Sequence, residues 1–266
     1  MSVDSVEVGR FGQVDTTGQA DRFVAFLDLC ERLPQMPELR DRSHEVLRAD
    51  AGSRIVDVGC GTGTATRQLA ERNVAATGID PSEHLIDVAR ARHPGIRFEV
   101  GAAQNVPFAD ASLDGYRAER VYQHLTDPEA ALVEARRVLR PGGRIVLLDA
   151  DADLWTVDAA DRRVTRALAA AFADTIASPW SGRRHRNLLL DAGFADVEVE
   201  LHPITYTDYG PVEVMLASIA QAGLAAGAVS REQADAWLAD QRDRAERGRC
   251  YVLVPMFLAS GAAPGR

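Results

Sequence analysis

Residues 54–66 read RIVDVGCGTGTAT. The first five form a short apolar, β-branched run, the composition of a buried strand. The run carries Asp57 near its end, and three glycines, Gly59, Gly61 and Gly63, alternate behind it. Residues 64–72 then take up a helical pattern. Glycines at this density serve a backbone that turns sharply and lets a ligand come close. The pattern is G-x-G-x-G and not the G-x-G-x-x-G of the dinucleotide fold, where a pyrophosphate meets a helix N-terminus.

The pattern repeats outward from this stretch. VAATGID at 74–80 reads as a second strand, with a helix over 82–92 that Pro81 helps to open. IRFEV at 96–100 and LDGYRA at 113–118 read as the third and fourth strands. Asp127-Pro128 opens a helix with Ala131, Leu132, Ala135, Val138 and Leu139 on its apolar stripe, and Pro141-Gly142-Gly143 closes it. RIVLLDA at 144–150 is the fifth strand. Strands alternating with helices of this length predict a parallel sheet with helices on both faces. Asp80 ends the second strand, seventeen residues after Gly63. A carboxylate there can accept hydrogen bonds from both hydroxyls of a ribose, or it can cap the next helix. A neutral thioether or sulfonium nucleoside suits such a loop, lying across it and using the carboxylate at the strand end.

The flanks are less periodic. Residues 1–15 show no apolar period and read as a loose arm. Phe23, Phe26, Leu27 and Cys30 then recur at helical spacing, and a second short helix follows Pro37. Val157, Val164, Leu168 and Phe172 predict a helix outside the repeating unit. A helix over 182–192 ends at Gly193, and ADVEVELHPITY at 195–206 reads as a strand. Pro211 starts a further helix. Ser230 and Gln233 form a capping-box pattern for a helix over 231–247, and 250–258 is the last strand. The expected division is an N-terminal helical cap at 1–45 and a main domain at 46–266, with substrate-lid insertions at about 151–180 and 208–247.

The 266 residues are 46% apolar and 26% charged, an ordinary globular composition. No apolar run approaches the ~20 residues of a membrane span. The polar N-terminus lacks the apolar core of a secretory signal. Cys30, Cys60 and Cys250 are widely spaced, which indicates neither a disulfide framework nor a zinc site, so the expected setting is a reducing cytoplasm. The net charge is −9, and all thirty basic residues are arginine. No nucleic-acid partner is expected, because that binding rests on a basic face that neutralises phosphates. The balance points to a small-molecule partner and a monomer or homodimer.

The glycine loop, Asp80, GAAQNVPF at 101–108, LDGYRAERVYQHL at 113–125 and RPGGRIVLLD at 140–149 occur in the order and spacing of one family. Over about residues 40–150 the chain resembles the class I S-adenosylmethionine-dependent methyltransferases, in particular the small-molecule group that includes the quinone-ring enzymes. The resemblance implies a Rossmann-like α/β fold with seven strands in the order 3-2-1-4-5-7-6, strand 7 antiparallel, with helices on both faces and a helical lid. It implies S-adenosyl-L-methionine as cofactor, and no metal is expected. Asp57 and the loop of Gly59, Gly61 and Gly63 would hold the methionine moiety, and Asp80 the ribose. Pro81 would pack on the adenine, with Ala103 and Gln104 at its edge and Glu119 close to the methionine end. Relatives carry an acidic residue where this chain has Ala102, and Gln104 is the candidate replacement for it. Arg42 reads either as a ligand of the cofactor carboxylate or as a surface charge.

Methyl transfer from a sulfonium has a neutral leaving group, so alignment supplies most of the acceleration. A base is needed only where the nucleophile loses a proton. His124, with Tyr122 beside it, is the catalytic candidate, against a packing or capping role. Tyr116, Arg120 and Trp155 are candidate substrate contacts, with core packing as the alternative for the aromatic residues. Asp149, Asp151 and Asp153 would share a face if the strand continued, and read as a cation site or a solvated edge. RRHR at 183–186 reads as a partner for an acidic substrate or as the solvated first turns of a helix. The expected activity is methylation of a small acceptor, an aromatic or heterocyclic secondary metabolite. The alternatives are a quinone-ring or nucleic-acid base methyltransferase, a non-catalytic cofactor-binding scaffold, and a nicotinamide-dependent dehydrogenase, which the loop spacing disfavours.

Overall fold

The computed structural model describes residues 8–33 and 35–265, the first three of these by their backbone alone. Five parallel strands form the centre: β1 (Arg54–Val58), β2 (Ala75–Asp80), β3 (Arg97–Val100), β4 (Leu113–Glu119) and β5 (Leu139–Ala150). A two-residue β6 (Thr156–Val157), β7 (Ala195–Tyr206) and β8 (Val252–Ala262) complete one sheet. Its order is β3-β2-β1-β4-β5-β8, with β7 on the outer side of β8 and β6 in line beyond β5. The last long strand is inserted antiparallel between the fifth and its predecessor in sequence, as the 3-2-1-4-5-7-6 order requires. The unforeseen strand is β6. Val157 pairs with Val252 there rather than starting a helix, which begins five residues later.

Helices α1 (Ala20–Glu31), α2 (Met36–Leu47), α3 (Thr64–Glu71), α4 (Glu83–Arg92) and α5 (Pro128–Val138) belong to the first half. The second half carries α6 (Arg162–Ala173), α7 (Ser181–Asp191), α8 (Glu213–Ala225) and α9 (Arg231–Glu246). Local chemistry sets their starts. Ser82 caps α4 by accepting from Leu85 N at 3.1 Å, so Asp80 is not the cap. Asp127 accepts from Ala130 N at 2.9 Å with Pro128 in the first turn of α5. The capping box of α9 forms as expected, with bonds of 3.2 and 2.8 Å between Ser230 and Gln233. Among the described residues, no helix is long and apolar enough to cross a membrane.

Pleat alternation splits the core between the two faces of the sheet. Val56, Val58, Tyr116, Ala118, Ile145 and Leu147 pack towards α5 and α7. Ile55, Val146, Leu148 and Ala150 pack towards α2 and α3. A third cluster joins α6, α8 and α9 to β8 through Leu168, Leu216, Trp237 and Val252. The described part of the N-terminal arm is not loose. Residues Val8–Thr16 form a 3-10 helix whose Val14 is buried with Phe23 and Leu85. Residues 1–7 of that arm lie outside the described residues.

Candidate active site

The carboxyl ends of β1, β2, β4 and β5 open into one cavity of about 400 Å³. That is where ligands enter open α/β sheets in general. The glycine loop forms its floor. Gly59 and Gly61 have φ of +66° and +53°, and a Cβ on Gly59 would lie 2.3 Å from Val121 Cγ2. Gly61 leaves room for Leu27 of α1, which comes within 3.1 Å of where a Cβ would stand. Gly63 serves differently: it is the N-cap of α3, and a Cβ would strike Phe98, away from the cavity.

Asp80 ends β2 at 6% exposure. Its Oδ2 accepts from Gly61 N at 3.0 Å and its Oδ1 from Ser82 N at 2.9 Å. Burial pushes its carboxyl up to about 6, against the pull of those two amides. Each oxygen accepts one amide bond and keeps a lone pair for a hydroxyl on the cavity side.

A buried ionic chain runs across the face that meets α2. Asp57 and Arg117 are register partners on β1 and β4 and bond at 2.8 Å. The other Asp57 oxygen accepts from Thr66 Oγ at 2.7 Å. Arg117 also holds Glu119, two residues along its own strand, and Ser43 Oγ at 3.2 Å. Glu119 takes a two-pronged bond from Arg40 of α2 at 3.0 and 2.9 Å. Arg40 extends the chain to Glu31 of α1 with bonds of 2.7 and 2.9 Å. Arg120 approaches both Glu31 and Glu119 at 3.5 Å. Burial alone would raise the Glu119 carboxyl, but Arg40 and Arg117 hold it well below the usual range. Arg120 itself sits at φ +57°, a conformation side-chain-bearing residues seldom adopt and one that recurs at functional sites.

Of the expected site residues, Asp57, Gly59, Gly61, Asp80, Pro81, Ala103, Gln104, Glu119, Arg120, His124 and Trp155 line the cavity. Four do not. Arg42 pairs with Glu200 and Glu45 at the surface, at 2.6 and 3.0 Å. It lies two positions from Arg40 on α2, which places it on nearly the opposite side of the helix. The arginine of α2 that lines the cavity is Arg40. Tyr116 and Tyr122 are fully buried behind the wall with their hydroxyls 3.2 Å apart, so neither reaches a ligand. Gly63 is the fourth. Sequence reading also missed Arg117, although arginine and glutamate two apart in a buried strand signal a paired charge on one face.

His124 ends a 3-10 turn, Tyr122–His124, rather than starting a helix. Its Nε2 lies 3.1 Å from Gln123 Nε2, and its Nδ1 is buried without a partner among the described residues. Burial, aided by Arg120, pushes its pKa down to about 4. Phe11 of the N-terminal arm packs on its ring at 5.2 Å between centroids.

The aspartates at 149–153 do not converge. β5 ends at Ala150, Asp149 bonds His185 at 3.0 Å, and Asp151 is held by Arg183. Arg183 and Arg184 lie in the first turn of α7, paired with Asp151 and Glu129, and His185 is buried. None of these residues lines the cavity.

Residues 56–147 match a protein family described as a methyltransferase domain. The chain is 38% identical over 179 residues to an uncharacterized 37.1 kDa protein of transposon TN4556 from Streptomyces fradiae, covering 65% of this chain and 52% of that one. It is 36% identical over 156 residues to the O-methyltransferase cnsE of Penicillium expansum, covering 56% of this chain and 54% of that one. The chain thus spans about half the length of these curated relatives. Among solved structures, phosphoethanolamine N-methyltransferase 2 of Haemonchus contortus, in complex with S-adenosylhomocysteine, superposes with a TM-score of 0.59 at 18% identity. That superposition covers 98% of this chain and 61% of the other. The [4+2]-cyclase SpnF superposes at 0.55 with 21% identity, covering 86% and 81%, so the fold alone does not dictate methyl transfer. The glycine loop, the sheet order and the matched residues agree: residues 56–147 match the methyltransferase-domain family, and they lie on a Rossmann-like sheet that superposes on solved methyltransferases.

Proposed function

We propose that the protein transfers a methyl group from S-adenosyl-L-methionine to a small-molecule acceptor, an aromatic or heterocyclic secondary metabolite. The observation that carries this reading is Asp80, a buried carboxylate at the end of β2 whose protein partners are two backbone amides, beside glycines that open the loop to a ligand. That donor set fits a ribose diol and a flat nucleoside. The cofactor supplies a methyl group on a sulfonium whose departure leaves a neutral thioether.

The chain's own residues hold and screen. Asp80 takes the ribose hydroxyls. Gly59 and Gly61 give backbone access to the methionine end, which Asp57 and Glu119 border. Pro81, Ala103 and Gln104 bound the adenine. Arg40 replaces Arg42 as the cation at the methionine end. His124, kept neutral at pH 7 by its low pKa, accepts from Gln123 Nε2 at Nε2 and so carries its proton on Nδ1, where it donates a hydrogen bond that orients the acceptor oxygen. Phe11, Phe26 and Leu27 close the cavity from the N-terminal side and exclude water. The segments 8–31, 151–180 and 208–247 act together as the lid.

Calorimetric titration with S-adenosylhomocysteine tests the reading. Wild type is expected to bind, and Asp80→Ala to lose about 1.5–3 kcal/mol, the cost of removing a charged hydrogen-bond partner. Binding of NADH in place of S-adenosylhomocysteine, or equal affinity in the variant, overturns it.

A further inference from the structure

The cavity has two halves of opposite character. Around the glycine loop it is polar. Beyond Arg120, towards β7, β8 and α8, its wall is Met36, Trp155, Ile204, Tyr206, Met215 and Met256. The chain has four methionines, and all three outside the undescribed first residue stand on this wall. Methionine is unbranched and polarizable, and it moulds itself to apolar ligands of irregular outline. The concentration of a scarce residue at one surface therefore marks a binding wall.

Charge sharpens the class of ligand. Every acidic side chain on the cavity is committed. Asp57, Glu119 and Glu31 are matched by Arg117, Arg40 and Arg120, and Asp80 holds the loop amides. Among the described residues no unmatched carboxylate stands on the apolar half to meet an ammonium group, since Asp80, whose partners are amides, lies at the glycine-loop end. The described arginines of the lining, Arg40, Arg117 and Arg120, are charge-balanced by the same carboxylates, so none of them is free to pair with a phosphate. Tyr206 and Cys30, the titratable groups facing the apolar half, are both pushed up by burial and stay neutral. An ion entering this half would lose its hydration with nothing to replace it. Of the buried polar atoms without partners among the described residues, three belong to side chains that line the cavity, Trp155 Nε1, Arg120 Nε and His124 Nδ1, and all three are donors. They suit an uncharged oxygen acceptor.

We propose that the apolar half of the cavity selects an uncharged, largely hydrocarbon hydroxyl compound of the phenol type, and rejects amines and phosphorylated acceptors. The inference rests on the methyl-transfer reading and adds the charge and polarity of the acceptor. Met215 of α8 is the residue on which to test it, because it is half-buried and distant in sequence from every group assigned to the cofactor.

The probes are 2-naphthol, sarcosine and phosphoethanolamine, each titrated calorimetrically into the full chain saturated with S-adenosylhomocysteine. Saturable binding of 2-naphthol alone is expected. Met215→Glu should weaken it by at least about tenfold, by placing a charge in the apolar wall. Met215→Leu should keep it within about threefold. Affinity for S-adenosylhomocysteine should be the same in both variants, which also shows that they fold. If S-adenosylhomocysteine binds but 2-naphthol does not, or Met215→Glu leaves naphthol binding unchanged, this inference falls while the methyl-transfer reading stands. Tighter binding of sarcosine or phosphoethanolamine has the same consequence. If S-adenosylhomocysteine itself does not bind wild type, both fall together.

Discussion

Asp80 shows how one buried carboxylate ties the fold to ligand binding. Burial raises its pKa from 3.8 to about 6 in the free protein. The folded chain therefore binds a proton that the unfolded chain releases, and this contribution to stability grows as pH falls through 6 and is complete below 3.8. Ligand binding has the opposite sign, because the ionised carboxylate is the better acceptor for two hydroxyls. Affinity for S-adenosylhomocysteine is therefore expected to be about tenfold weaker at pH 5 than at pH 7. In Asp80→Asn it should be weak and flat over the same range. Calorimetry at both pH values checks this, and a flat wild-type profile would detach Asp80 from the ligand. The residue scale also shows what a sequence conceals. Asp80 and the glycines could be read because strand, turn and helix follow each other without interruption. Arg40 and Arg42 could not be told apart, because α2 presents arginines on two sides and only the position of Glu119 picks one.

At the scale of elements, the N-terminal arm is joined to α4 by acidic side chains. Asp15 accepts from Ser82 Oγ at 2.5 Å and from Glu83 N at 2.8 Å, adding a second cap to α4 beside Ser82 itself. Asp28 of α1 pairs with Arg92 at 2.6 Å, and Asp21 lies 3.3 Å from His84. These contacts lay the arm beside Asp80-Pro81. Asp15→Ala removes the contact nearest the helix start, where an anion meets the helix dipole, and is expected to cost about 1 kcal/mol. Limited proteolysis should then cut the arm faster than in wild type, and S-adenosylhomocysteine should restore protection. Equal cutting in both proteins would mean that the arm is held by Val14 and Phe23 rather than by its charges. The arm escaped sequence reading because a short 3-10 helix, with three residues to the turn, does not show the 3.6-residue period of an α-helix. By contrast β1 and residues 145–150 of β5 were legible as nearly continuous apolar runs, because both their faces are buried, while the edge strand β3 and the charged β4 were found from the alternation of strands with helices. The start of β5 was misplaced because Leu139 already pairs with Leu113 before a register shift at Pro141-Gly142-Gly143.

The molecule as a whole divides its work between two cores. The sheet with α2 to α5 and α7 carries the glycine loop and Asp80. The cluster of α6, α8 and α9 adds Phe172, Ile176 and Met215 to the apolar wall. This second cluster was the harder to foresee. α8 is apolar on nearly every side, so no stripe marks its partner, and Gly223 admits Leu168 of α6 through closeness of packing rather than through any turn. Trp237 of α9 anchors the cluster, buried at 4% exposure with its Nε1 on Thr165 Oγ at 3.0 Å. Trp237→Ala opens a void there and is expected to cost about 3–5 kcal/mol. If the two cores open separately, hydrogen exchange should lose protection across residues 162–173 and 213–246 while β1 to β5 keep theirs. S-adenosylhomocysteine would still bind within about twofold, because none of its contacts lies in that cluster, whereas 2-naphthol would bind more weakly through loss of the Met215 side of its wall. A uniform loss of protection through the central sheet would show instead that the cores unfold as one, and that acceptor and cofactor affinity cannot be changed independently by mutations in the satellite helices.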